Sequence, residues 1–71
     1  MSQWPSSKAR KVLAALLRIG WREASRKPGS HVRLERPNFP DYTWAFHEGE
    51  ELGPRILARI AKHTGLTPQD L

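Results

Sequence analysis

The chain has 71 residues, of which 12 are Lys or Arg, 7 are Asp or Glu and none is Cys, so its net charge is +5. This length holds one small domain, and it excludes a β/α barrel or a dinucleotide-binding fold, which need far longer chains. Without Cys there is no disulfide and no thiolate metal centre, and the longest apolar run, residues 12–17, falls far short of the ~20 residues that span a bilayer.

The charge is uneven. Residues 1–36 carry nine basic side chains against Glu23 and Glu35, a balance of +7. Residues 37–71 carry Arg55, Arg59 and Lys62 against Asp41, Glu48, Glu50, Glu51 and Asp70, a balance of −2. A basic half on a small domain is the footprint of a polyanion binder. A solvated basic face that only keeps the protein soluble fits the same counts. A Cys-free chain without a secretory leader is expected in the cytoplasm and away from membranes.

Residues 1–6 read as a loose lead-in, and residues 7–71 as a single domain. Ser6 or Ser7 suits a helix N-cap, where a hydroxyl accepts a bond from an orphan backbone N–H. Ala9, Val12, Leu13 and Leu16 then recur at helical spacing, and Leu17 and Ile19 widen the apolar stripe. Gly20 tolerates the left-handed backbone that ends many helices. The pattern predicts a helix over 7–19.

From residue 21 the period changes to two. Val32 and Leu34 alternate with His31, Arg33 and Glu35, and Tyr42, Trp44 and Phe46 alternate with Thr43, Ala45 and His47. Pro28-Gly29 marks one turn, and residues 37–41, with two prolines and Asn38, mark another. Strands are expected over 21–27, 30–36 and 42–46, antiparallel because the connections are short.

The last third returns to helical spacing. Gly53-Pro54 opens a helix, since Pro is tolerated where the N–H has no partner. Ile56, Leu57, Ile60 and Ala61 form its apolar stripe, and Gly65 ends it. Thr67-Pro68-Gln69-Asp70 reads as a capped final turn, with Leu66 and Leu71 as apolar pins.

The order helix, three antiparallel strands, helix predicts an α+β domain with both helices on one sheet face. Val32, Leu34, Trp44 and Phe46 should face the helices, while His31, Arg33, Ala45 and His47 face outward. If Pro28 and Gly29 are the two loop residues, Arg26 lies opposite His31 and Arg22 opposite Glu35. That register also puts Trp21 on the core face. A slip of one residue would reverse the faces.

His31 is the first candidate for chemistry. It follows a tight turn, among Arg26, Lys27 and Arg33, cations suited to a phosphate. Imidazole exchanges protons near neutral pH. An exposed strand His without a role fits the same position. His47 should share the outward face, where two imidazoles can divide base and acid roles at one phosphodiester; a residue that orders the loop before the last helix is the alternative. His63, near a helix C-terminus, is explained by the helix dipole. Three His without i, i+4 spacing and without Cys make no recognisable zinc ligand set. Trp21 and Trp44 are expected in the core, and Trp4 has no assignment. Glu48, Glu50 and Glu51 suit a positive helix end, or a rim that meets a basic partner.

Several segments together resemble the HicA family, toxin components of bacterial and archaeal toxin–antitoxin pairs. Ile19-Gly20-Trp21 matches the family's Gly followed by an aromatic. Gly29-Ser30-His31-Val32 is similar to its Gly-Ser-His turn-to-strand motif. Ala45-Phe46-His47 leads through Glu51-Leu52-Gly53 into Ile56-Leu57-Ala58-Arg59-Ile60, and Gly65-Leu66-Thr67 resembles its final Gly-Leu-Ser/Thr. The resemblance covers about residues 7–71. It implies an α-β-β-β-α fold like a double-stranded-RNA-binding domain. It also implies a metal-independent, cofactor-free endoribonuclease that cleaves mRNA, with His31 as catalytic residue and a HicB-type antitoxin as partner. On that basis Arg22, Arg26, Lys27, Ser30 and Arg33 are expected to bind RNA, His47 to be a second proton carrier, and the free chain to be a monomer or weak dimer. The chain departs from the family pattern at Ala45, where Pro is usual, at Pro54, where Thr often begins the helix, and at Pro28 before the turn. A non-catalytic RNA-binding module of the same fold and a protein-interaction domain with an acidic partner remain open on the residues alone.

Overall fold

A computed structural model describes residues 3–26 and 31–71. The chain begins with a short strand β1 (Ser7–Lys8) and helix α1 (Ala9–Arg18). Strands β2 (Arg22–Arg26), β3 (Val32–Glu35) and β4 (Tyr42–Trp44) follow. A two-residue strand β5 (Glu51–Leu52), helix α2 (Pro54–Thr64) and a 3-10 turn (Pro68–Asp70) complete it. The three central strands form an antiparallel sheet in the order β2-β3-β4. This α+β arrangement is consistent with a double-stranded-RNA-binding-domain-like fold.

The helices cover one sheet face for the reason the alternation suggests. Val12, Ala15 and Leu16 of α1 and Leu57 and Ile60 of α2 share one buried cluster with Trp21, Val32, Leu34 and Trp44. Phe46 packs against that cluster edge-on to Trp44, with ring centroids 5.1 Å apart. Trp4 packs against it as well. Arg33, Thr43 and Ala45, at the alternate positions, are exposed. Leu17 does not join the apolar stripe: it is 40% exposed, because the core is filled by Leu13 and Leu16 on the inner side of the helix.

Three expectations need correction. Neither Ser6 nor Ser7 caps α1. Ser7 and Lys8 instead pair with Leu52 and Glu51, an antiparallel ladder with no period-two signature in so few residues. The N–H groups of Ala9 and Arg10 donate to the carbonyls of Glu50 and Glu48 at 2.8 and 3.2 Å, so a distant loop caps the helix. Arg22 does lie opposite Glu35, but Arg26 lies opposite Val32, not His31. The register shifts between Glu23 and Ser25, where an extra residue in β2 breaks the pairing. The third strand stops at Trp44 rather than continuing through 46.

The ends of both helices meet at one buried point. The Trp21 indole N–H donates to the Thr64 carbonyl at 3.0 Å. The Thr64 hydroxyl donates to the Ile60 carbonyl at 2.7 Å and accepts from the Leu66 N–H at 3.3 Å. Phe39 meets Trp21 edge-on, with centroids 5.4 Å apart, and Arg36 lies over the Phe39 ring at 4.6 Å. Gly65 adopts φ 78°, the left-handed cap the sequence called for, and its N–H donates to the Ala61 carbonyl at 2.9 Å. The final turn carries the expected capping box, with Thr67 N–H donating to an Asp70 carboxylate oxygen at 2.8 Å. Arg18 donates to the Asp70 carbonyl, tying α1 to this turn.

Trp21→Phe keeps an aromatic side chain but removes the indole's five-membered ring with its N–H donor, leaving the buried Thr64 carbonyl unsatisfied and a small gap beside it. It is expected to cost about 1–3 kcal/mol in urea unfolding. Burial raises the Tyr42 hydroxyl pKa above 10.0, and Arg59 opposes this in part. The folded state therefore holds this proton where the unfolded chain releases it. The contribution is fully present below pH 10 and is lost as pH rises through the folded-state value. In parallel unfolding series from pH 8 to pH 11, Tyr42→Phe should lose less stability than the parent chain.

Candidate functional site

The outer sheet face is left open by the packing of both helices on the other side. His31 directly precedes β3 and is exposed. Val32 pairs with Trp44, so extending the ladder by one residue sets His31 across from Ala45. His47 lies two residues beyond Ala45, about 7 Å along an extended chain, and is also exposed. Both His therefore lie in segments that leave the Val32–Trp44 end of the β3–β4 ladder.

His47 is fixed by its own turn. Its N–H donates to the Glu50 carboxylate at 3.3 Å, and the Glu50 N–H donates back to the His47 carbonyl at 3.0 Å. The same loop supplies the carbonyls that cap α1. The acidic residues therefore sit at the N-terminus of α1, not only ahead of α2. Lys8 reinforces the loop, with its Nζ 3.3 Å from the Gly49 carbonyl and 3.6 Å from the Glu51 carboxylate. The His47–Glu50 spacing of three was the available sequence signal for this turn.

Arg33 is two residues from His31 on the outer face, about 7 Å along the strand. Its guanidinium lies 3.6 Å from Glu35 and 3.7 Å from Asp41, and Glu35 lies 3.7 Å from Arg22. These four side chains form a chain of exposed ion pairs whose charges cancel. Each such pair is worth roughly 0–1 kcal/mol, so a ligand can displace one at small cost. Composition did not foresee this neutralisation. The register that set Arg22 opposite Glu35 pointed to half of it, and the shared parity of Asp41, Thr43 and Ala45 to the rest.

The remaining expected contacts fall elsewhere. Lys27 and Ser30 lie outside the described residues, and Arg26 is placed only by its register opposite Val32. Among the described residues, no carboxylate pairs with Arg10, Lys11, Arg55, Arg59 or Lys62. Much of the uncompensated positive charge therefore sits on the helices. His63, in the last turn of α2, stacks on Tyr42 with centroids 5.9 Å apart. Among the described residues no three His, Asp or Glu side chains cluster as metal ligands, and no helix is long and apolar enough to cross a membrane.

Beyond Arg33, a cleft of roughly 410 Å³ opens at the far end of the same face, lined by Arg22, Glu35, Arg36, Pro37 and Asp41.

Glu50→Ala removes the acceptor of the His47 N–H. It is expected to speed amide exchange at His47 while lowering global stability by less than about 1 kcal/mol.

A family model described as the HicA toxin of bacterial toxin–antitoxin matches residues 9–66. That span includes His31, His47, Arg33 and both helices. No curated protein matches the chain.

Proposed function

The chain belongs to the HicA toxin family, and from that membership we propose that it is a metal-independent endoribonuclease that cleaves mRNA with His31 as its acid/base residue. The observation that carries this reading is an exposed imidazole directly before β3, next to the open sheet face and inside the matched span.

The chemistry follows from what the face offers. A neutral imidazole at His31 takes the proton from a ribose 2′-OH, and the resulting oxygen attacks the adjacent phosphorus. The bond to the 5′-oxygen breaks as that oxygen receives a proton, leaving a 2′,3′-cyclic phosphate and a 5′-hydroxyl. His47, held by the Glu50 turn beyond the same end of the β3–β4 ladder, is suited to deliver that proton. Arg33 exchanges a carboxylate for a phosphoryl oxygen and stabilises the charge that builds there. Arg26, Lys27, Ser30 and Arg22 complete the expected contacts to the strand.

Loss of mRNA stops translation, which accounts for a toxin and places its action in the cytoplasm. A HicB-type antitoxin then acts by covering the open sheet face.

His31→Ala is expected to lower cleavage of a single-stranded RNA at least about 100-fold and to abolish growth arrest on expression. The urea midpoint should stay within error of the parent chain, because the side chain is exposed. Cleavage at the parental rate by folded His31→Ala protein would contradict the assignment. Salt-sensitive binding without cleavage by the parent chain would point to a non-catalytic RNA-binding module.

A further inference from the structure

The cleft at the far end of the outer face is not used by the proton transfers at His31. Its position and chemistry nevertheless connect it to the same strand of RNA. Arg22 pairs across the sheet with Glu35, and Asp41 reaches Arg33 at 3.7 Å, so the cleft continues the face on which His31 stands. Four residues separate His31 from Glu35, about 13 Å along the strand. Arg33 lies midway. A single strand held at His31 and Arg33 reaches the cleft within a few nucleotides.

The exposed lining of the cleft is mostly apolar, and charged groups of both signs stand at it. Arg22 and Arg36 are cations, Glu35 and Asp41 are anions, and Pro37 is apolar. A phosphate there would meet two carboxylates and gain no net attraction. A neutral group with both donors and acceptors suits it better. The ion pairs of Glu35 and Asp41 span 3.6–3.7 Å, longer than hydrogen bonds, so both carboxylates keep lone pairs for a new donor. The cleft, roughly 410 Å³ and open to solvent on one side, has room for a planar base. Sequence-specific RNA binding works by splaying out single-stranded bases and reading their edges in such places.

We infer that this cleft is a nucleobase subsite that takes an unstacked base with an exocyclic amino group, guanine above all, a few nucleotides from the phosphodiester at His31. Guanine offers its N1–H and amino group to a carboxylate and its O6 to a guanidinium. Uracil has one N–H between two carbonyl oxygens, and those oxygens face the carboxylates unfavourably. The subsite thus gives the nuclease a sequence preference, and it rests on the proposed RNA cleavage for its biological meaning.

Two measurements test it separately from that reading. The first is binding of 2′-O-methyl tetranucleotides, which are not cleaved, one all-guanosine with a single-stranded fold verified and one all-uridine. The guanosine probe is expected to bind about tenfold or more tightly, and Asp41→Asn or Glu35→Gln to reduce that preference below about threefold. Equal binding of both probes by the parent chain overturns the subsite, as does a preference that survives both substitutions. The second is cut-site mapping on a randomised single-stranded RNA. Guanine should be enriched at one fixed position near the cut, and the enrichment should fall in both variants. Absence of cleavage with the binding preference intact would defeat the nuclease reading and leave the subsite standing.

Discussion

The fold depends most on one buried hydrogen bond, from the Trp21 indole N–H to the Thr64 carbonyl. Trp21 stands between the end of α1 and the start of β2, and Thr64 is the last residue of α2. The bond therefore fixes one end of α2 against the strand that leaves α1. Thr64 can take this part because its hydroxyl satisfies neighbouring backbone groups inside the core. Both chain reversals around it use glycines with positive φ, 118° at Gly20 and 78° at Gly65. Arg36 and Phe39 close over the pair, and a side chain at Gly20 would crowd the Arg36 guanidinium. At the opposite end, the loop after His47 caps α1 through its carbonyls. The helix layer is thus pinned at both ends to one face of the sheet.

Pinning that layer is what leaves the other face free. Its residues alternate with the core residues of β3 and β4, so the same periodicity that builds the core presents His31 and Arg33 to solvent. Among the described residues, the face is not the strongly positive surface that the charge counts suggest. Arg22 and Arg33 are balanced by Glu35 and Asp41, while unpaired cations lie on α1 and α2. In the proposed function, attraction of RNA and selection of a particular stretch of it fall to different surfaces. There the helix cations without a carboxylate partner would supply the long-range field. The balanced sheet face supplies contacts that depend on orientation, since an exposed ion pair yields only to a group that replaces it well.

Much of this was legible in the residues. The alternation around Val32, Leu34 and Trp44 identified the core face, and the Pro54 and Gly65 signals bounded the second helix. Thr67 and Asp70 announced their capping box. The failures share a physical cause: each depended on a contact distant in sequence or on one inserted residue. Ser7 carries cap chemistry, yet the carbonyls of Glu48 and Glu50, some forty residues away, satisfy the helix. Arg26 lost its place opposite His31 to an irregularity in β2 that the run from Glu23 to Ser25 does not reveal. The role of Thr64 was hidden because a Thr near a helix end has many local uses. Ion pairing of Arg33 was hidden because Asp41 lies in a turn whose parity alone hints at its direction. For the chemistry, His31 stood out by residue type and turn context, and the resemblance of Gly29-Ser30-His31 to the family motif made it the catalytic candidate over an exposed strand histidine.

The central claim is that RNA is engaged by the open sheet face, with His31 at one end of it. Titrating the labelled protein with a single-stranded RNA carrying a 2′-O-methyl group at every position, so that cleavage is blocked, maps that engagement directly. The account predicts that NMR signals of His31, Arg33, Thr43, Ala45 and His47 shift together along one binding curve, while those of Val12, Ile60 and Thr64 in the helix-side core stay in place. Saturable shifts confined to the exposed residues of α1 and α2, with His31 and Arg33 unmoved, would contradict it.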